Sequence, residues 1–261
     1  MLKKMINNLY SYRQLLKSNV KKDIRGKYKG SFLGVLWSFI NPLLVTLVYA
    51  IVFPFILRNT ENNYVTFLVI GILPWTFFTT VISQGTHCIL GNAGIIKKVY
   101  FPREILPISI ATSGLVNFLI SCIIIFLFLL FSGIGFSIQI LWLPLIIITQ
   151  YILTLSLIMF TSAINVYIRD LEYIVAFIIN MLFYMTPVLY RAGTFAQSNF
   201  MSLIFKLNPM ATIITCYRDV LFYQSLPHIK SLLVVLLFSL LLLYFGYCFF
   251  KRLERGFAEE V

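Results

Sequence analysis

Charge is scarce in this sequence. Only 11% of its 261 residues are Asp, Glu, Lys or Arg, and 60% are hydrophobic, whereas soluble domains carry roughly 25% charged residues. A water-facing shell needs more polar side chains than this chain has, which excludes a soluble globular fold. Acidic groups are scarcest: Asp23, Glu61, Glu104, Asp170, Glu172, Asp219, Glu254, Glu259 and Glu260. All fall at or beyond the ends of the long apolar runs. Proton- or ion-coupled carriers keep ionisable groups near the bilayer midplane, so any work done by this chain is expected to draw on an external source.

Other absences narrow the chemistry. The pattern G-x-x-x-x-G-K-[ST] is missing, so the chain does not bind ATP in the P-loop manner. His87 and His228 have no Asp, Glu or Cys at ligand spacing, and no metal site is expected. Cys88, Cys122, Cys216 and Cys248 lack metal-type spacing and read as small buried hydrophobes. Barrel-type strand alternation is absent too.

Long apolar runs dominate instead. A stretch of about 20 residues spans a hydrocarbon layer of roughly 30 Å. Six such stretches are expected, at 33–57, 64–85, 105–131, 139–166, 171–189 and 230–250. The fold class is therefore an all-α polytopic membrane protein with six transmembrane helices. Before the first span, Leu2, Met5, Ile6, Leu9, Tyr12, Leu16 and Val20 share one helical face, opposite Lys3, Lys4, Asn7, Asn8, Lys17 and Lys21. This pattern predicts an amphipathic helix in the headgroup plane, against membrane lipid.

The net charge of +12 does not mark a nucleic-acid binder, because its position decides otherwise. Nine of the 21 Lys and Arg residues lie in the first 29 positions, beside the first span. With that end inside, sixteen basic residues fall on the inner side, and five on the outer: Arg58, Arg191, Lys206, Arg218 and Lys230. The bias places both termini in the cytoplasm. It also puts the stretch NAGIIKKVYFPREILP, residues 92–107, on the inner face. There Asn92 is expected to cap a helix of about two turns that Pro102 ends.

Residues 190–229 are outer by this count yet apolar. Asn208-Pro209 and Leu226-Pro227 divide them into pieces too short to cross, which predicts re-entrant helices. A salt bridge between Arg218 and Asp219 is expected there, and Arg169 and Asp170 are expected to cap the fifth span. The spans are rich in aromatics, and Trp37, Tyr49, Phe53, Tyr151, Phe177 and Tyr184 are candidates for a channel wall. Aromatic faces with polar tips suit sugar rings.

Several motifs converge on one family. Lys22-Asp23-Ile24-Arg25-Gly26-Lys27-Tyr28-Lys29-Gly30-Ser31 and the FLGVLWSFINPLL that follows resemble the start of permeases from ABC exporters of O-antigen, capsular polysaccharide and teichoic acid. Residues 96–107 resemble the family's first cytoplasmic loop. Arg169-Asp170-Leu171, Met185-Thr186-Pro187-Val188 with Tyr190, and Asn208-Pro209 with Tyr217-Arg218 fit in the expected order.

The resemblance implies a homodimer in the bacterial cytoplasmic (inner) membrane, two separate ABC ATP-binding subunits, and a lipid-linked polysaccharide as cargo. It implies no catalytic residue and no cofactor on this chain; ATP and magnesium belong to the partner subunit. Residues 1–32 become an interface helix with a basic linker. Residues 33–261 become the membrane domain, with a coupling loop at 88–104 and an outer segment at 190–229. Ile96, Lys97, Lys98, Tyr100, Phe101, Arg103 and Glu104, with Asp23 and Arg25, are expected to meet the ATPase. Tyr190, Asn208, Pro209, Tyr217 and Arg218 are expected in an outer gate. Two alternatives remain: an ABC permease for drugs or small lipids, and a membrane-embedded transferase acting on lipid-linked sugars. The transferase would need a carboxylate or histidine constellation that the sequence alone does not display.

Overall fold

A computed structural model of the chain describes residues 8, 10–28, 36–57, 63–191, 203–205 and 207–261. Among these the secondary structure is helical, without strands. In chain order the helices are α1 (Arg13–Tyr28), α2 (Trp37–Leu57), α3 (Tyr64–His87), α4 (Ala93–Ile96), α5 (Ile105–Phe131), α6 (Leu143–Tyr167), α7 (Leu171–Met185), α8 (Pro209–Leu221), α9 (Ile229–Leu253) and α10 (Phe257–Glu260).

Four helical segments are long and apolar enough to cross a membrane: Tyr64–His87, Ile105–Phe131, Ile138–Tyr167 and Ile229–Gly256. They correspond to the second, third, fourth and sixth expected spans. The first and fifth expected spans fall on α2, with 21 residues, and on α7, with 15. The fifth stops at Met185, four residues earlier than its hydrophobicity suggests. Thr186 precedes Pro187, whose ring disfavours helical geometry in the residue before it. Thr186 is accordingly extended, at φ −109° and ψ 134°.

The core is built around α3. Its residues from Phe67 to Phe78 are almost all buried, between α2, α5, α6, α7 and α8. Helix α9 lies along α6, and α1 lies on α5. A helix buried on every side needs close approaches, and small residues supply them. At Gly85, an added Cβ would sit 2.7 Å from Ile158 Cγ2 and 2.9 Å from Ile158 Cβ. A β-branched side chain has little rotamer freedom with which to withdraw. Gly85→Ala is therefore expected to lose about 1–3 kcal/mol through overpacking, seen as a lower melting temperature of the detergent-solubilised protein.

Helix runs on through Lys22 and Gly26 to Tyr28, so much of the expected basic linker is helical. Residues 1–7, the FLGV stretch, Arg58 to Asn62 and most of the first outer piece lie outside the described residues.

Candidate functional site

Two adjoining open recesses cut into the helix bundle. One, of about 760 Å³, lies where the inner ends of α1, α3 and α7 meet, and its walls include Lys22, Asp23, Gln84, His87, Asn92, Ser113, Asn117 and Glu172. The other, of about 350 Å³, continues along α2, α3 and α5, past Trp37, Asn41, Thr76, Thr80, Gln84, Asn117 and Ser121. Gln84 and Asn117 border both, so the two form one groove. Among the described residues, its deeper half carries no charged side chain. Amides and hydroxyls there offer hydrogen bonds without holding an ion.

Helical spacing builds this wall. Thr76, Thr80, Gln84 and His87 recur three or four residues apart along α3, while Ser113, Asn117 and Ser121 do so along α5. Residues at such intervals share a face. The signal was in the sequence, as polar residues one turn apart in apolar helices.

Of the six aromatic candidates, Trp37 borders this groove. Tyr49 stacks on Phe183, with ring centroids 6.0 Å apart. The Tyr151 hydroxyl meets Thr112 Oγ1 at 3.2 Å between α6 and α5. Phe177 and Tyr184 are exposed on α7, and the Phe53 side chain lies outside the described residues. Apolar rings found partners in protein, or a place on the outer surface, because burying them needs no hydrogen bond.

Folding also supplies partners that sequence spacing hid. His87 Nδ1 lies 3.0 Å from Glu172 Oε2, joining the end of α3 to the start of α7 at the rim of the larger recess. Asp23 borders the same recess, and its Oδ2 is buried without a hydrogen-bond partner. Burial pushes that carboxyl above its ordinary range, against the pull of Lys22. Arg25 is exposed. The carboxylate and histidine groups absent from any local motif thus meet in space, although His87 and Glu172 are well exposed to solvent.

The loop between α3 and α5 differs from the expected two-turn helix. A 3₁₀ turn, Leu90–Asn92, leads into the single turn of α4, which ends at Ile96. Asn92 does not cap it; its Nδ2 donates back to the Cys88 carbonyl at 2.8 Å, and Lys22 Nζ donates to its Oδ1 at 3.4 Å. Lys97, Lys98 and Val99 are exposed, and Tyr100 is 94% exposed. The other candidates turn inward. Ile96 and Phe101 are buried in the core. Glu104 is fully buried, ion-paired to Lys251 and accepting from Asn8 Nδ2 at 2.9 Å. The Arg103 guanidinium donates to the Glu254 carbonyl. The exposed part of the loop is therefore Lys97 to Tyr100.

In the segment after α7, Asn208 caps α8: its Oδ1 accepts from Met210 N at 3.0 Å, and Pro209 begins the helix. Its Nδ2 donates to Thr186 Oγ1 at 2.8 Å. Tyr217 is wholly buried and donates to Gln150 Oε1 at 2.9 Å, while Gln150 Nε2 donates to the Pro74 carbonyl at 2.7 Å. These bonds tie α8, α6 and α3 together. The Tyr190 hydroxyl donates to the Tyr184 carbonyl at 2.7 Å.

Arg218 does not pair with Asp219 as expected. It donates to the carbonyls of Pro187, Val188 and Tyr190, with its guanidinium 3.5 Å from the centre of the Phe67 ring. Burial pulls Arg218 down to about 9, which leaves it charged at neutral pH. Asp219 instead faces His228, at 3.5 Å. The Asp170 side chain makes no cap hydrogen bond to α7, although the residue stands at the N-cap position.

Burial raises the Asp219 carboxyl above its ordinary value of 3.8, with His228 pulling the other way. The folded state then holds this proton more tightly than the unfolded chain does. Stability falls as pH rises from about 3.8 through the raised value. Asp219→Asn is expected to flatten that slope, as read from melting curves stepped from acid to neutral pH.

The bundle thus combines four long apolar helices, a groove with polar walls and an exposed loop between α3 and α5. The model of the ABC-2 type transporter membrane family matches residues 14–222; the chain belongs to that family. It is 33% identical over 258 residues, 99% of both chains, to the O-antigen export system permease protein RfbA of Myxococcus xanthus. It is 34% identical over 257 residues, 98% of both chains, to each of two proteins of the same name from Klebsiella pneumoniae.

Proposed function

We propose that the chain is the membrane-spanning subunit of an ABC exporter that moves a lipid-linked polysaccharide from the cytoplasmic side outward. The carrying observation is the match to O-antigen export permeases across 98–99% of both chains. The smaller recess supports it: a glycan passing through hydrocarbon needs hydrogen-bonding partners without fixed charges to trap it. In this reading α2 and α7 join the four long helices as spans, with both termini in the cytoplasm of the bacterial inner membrane. Two copies enclose the channel through the exposed apolar faces of α2, with Leu44, Leu47, Val48 and Ile51, and of α7, with Ile174, Phe177, Ile178 and Met181. Residues Lys97 to Tyr100 receive a separate ATP-binding subunit, where ATP and magnesium reside, and α8 belongs to an outer gate.

The test is reconstitution of the permease with its ATPase in vesicles bearing a lipid-linked glycan in the ATP-accessible leaflet. ATP is expected to move the glycan to the opposite leaflet, read by protection from an added glycosidase. Transport of small hydrophobic dyes without glycan movement would favour a drug or small-lipid permease. Transfer of sugar without ATP would favour a transferase. Thr80→Trp places a large ring in the deeper recess and is expected to cut glycan movement at least about tenfold, equivalent to roughly 1.4 kcal/mol, with ATP hydrolysis retained.

A further inference from the structure

Four charged side chains, two from the middle of the chain and two from near its end, meet beneath the exposed loop. Lys251, near the end of α9, donates to both Glu104 and Glu254, the latter at 2.6 Å. Glu254 Oε1 accepts from the backbone N–H of Arg103 at 2.9 Å, and its carbonyl accepts from the Arg103 guanidinium. Asn8 reaches the free side of Glu104 from the N-terminal arm. Below the ring, Phe257 is fully buried beside Phe250 and Tyr167, and the Tyr167 hydroxyl donates to the Leu253 carbonyl at 2.9 Å. The inner ends of α5, α6 and α9 are thus fastened at one node, which begins three residues after Tyr100.

Such a ring holds a loop better than apolar packing does. Charge-assisted hydrogen bonds fix direction as well as distance, and a half-buried ion pair resists sliding because separating it strands a buried charge. A push on Lys97 to Tyr100 would otherwise be absorbed by the single-turn α4 and the extended residues after it.

We propose that Lys251 and Glu254 are positioning residues for energy transmission: with Glu104 and Arg103 they lock the docking loop to α5, α6 and α9, so that displacement by the ATPase moves these helices together. This rests on the reading that Lys97 to Tyr100 meet the ATPase, and it assigns the C-terminal segment a part in transport. By contrast, α7 joins α3 at this end through the exposed His87–Glu172 pair. The locked helices then move against α7, and the recess between them changes width.

The test uses the reconstituted permease–ATPase complex with Lys251→Met, Glu254→Gln and Lys251→Arg. Lys251→Met and Glu254→Gln are expected to assemble with the ATPase in normal amounts and to hydrolyse ATP within about twofold of the parent. Glycan moved per ATP consumed is expected to fall about tenfold or more in both, with Lys251→Arg recovering most of it. An unchanged ratio of transport to hydrolysis overturns the proposal. Loss of folded protein from the membrane in proportion to transport in both neutralising variants also overturns it, since the ring is then a folding element only. If Tyr100→Ala assembles and transports normally while the ring variants fail, the docking reading is at fault and the ring acts by another route.

Discussion

Tyr100→Ala is expected to leave the permease folded in the membrane while releasing the ATPase and abolishing most ATP-driven export. The phenolic ring is 94% exposed, so its removal takes nothing from the core. Large aromatics that stand out beside cations are typical anchors of interfaces, and truncating such an anchor costs about 2 kcal/mol or more, roughly thirtyfold in affinity. Phe101, one residue on, is 6% exposed and belongs to the core cluster. Phe101→Ala is therefore expected to reduce the amount of folded protein, a different failure. Co-purification with the ATPase, measured beside the membrane level of each variant, separates the two. Normal co-purification and normal export in Tyr100→Ala would remove the loop from the mechanism. Charge reversal at Lys97 and Lys98 is a weaker probe, because exposed ion pairs contribute little individually and fade with salt.

Arg218→Leu is expected to produce the largest loss of stability among single substitutions. After α7 ends, the backbone from Thr186 to Val188 runs buried without continuing the helix. Carbonyls in that state need donors, since no water replaces them. Arg218 donates to two of them, Pro187 and Val188, and to Tyr190 just beyond, all from one guanidinium. Gly71 makes room for it: a Cβ there would lie 2.7 Å from Arg218 Nη2 and 2.8 Å from the Val188 carbonyl. Leucine leaves the carbonyls unpaired, at about 1–3 kcal/mol each, while removing the cost of burying a cation. The net loss is expected at about 2–5 kcal/mol. Lysine keeps the charge without the planar fork and should recover only part. Thermal unfolding in detergent ranks the variants as parent, Arg218→Lys, Arg218→Leu. A Leu variant as stable as the parent would show that the guanidinium is not what holds this turn.

The helical membrane class was legible from charge scarcity and run length alone, because a bilayer imposes length and polarity on each residue that crosses it. Asn208-Pro209 was legible as a break in the 190–229 segment, and α8 begins there. Contacts between distant charges were not legible. Glu104 was assigned to a partner since it sits beside Lys97 and Lys98 in sequence, yet Lys251, 147 residues away, claims it. Arg218 and Asp219, adjacent in sequence, diverge because neighbours on a helix point about 100° apart. The groove was missed for a related reason. Aromatic residues were conspicuous, while single threonines, serines and amides one turn apart read as tolerated exceptions. The Thr hydroxyls at 76 and 86 also bond the carbonyls four residues earlier, a habit that makes such residues unremarkable one at a time.

The shortness of α7 bears on the surrounding lipid. Fifteen residues reach only about 22 Å at 1.5 Å per residue, well under a hydrocarbon thickness of roughly 30 Å. In the proposed pair α7 lines the seam between the copies, and a wall this short thins the bilayer at the edge of that seam and lets headgroups and water sit deeper there. The groove begins beside this helix, so a polar cargo entering along it meets a locally thinner slab of oil. Bilayer thickness then becomes a control on throughput: longer-chain lipids should slow export without touching the ATPase.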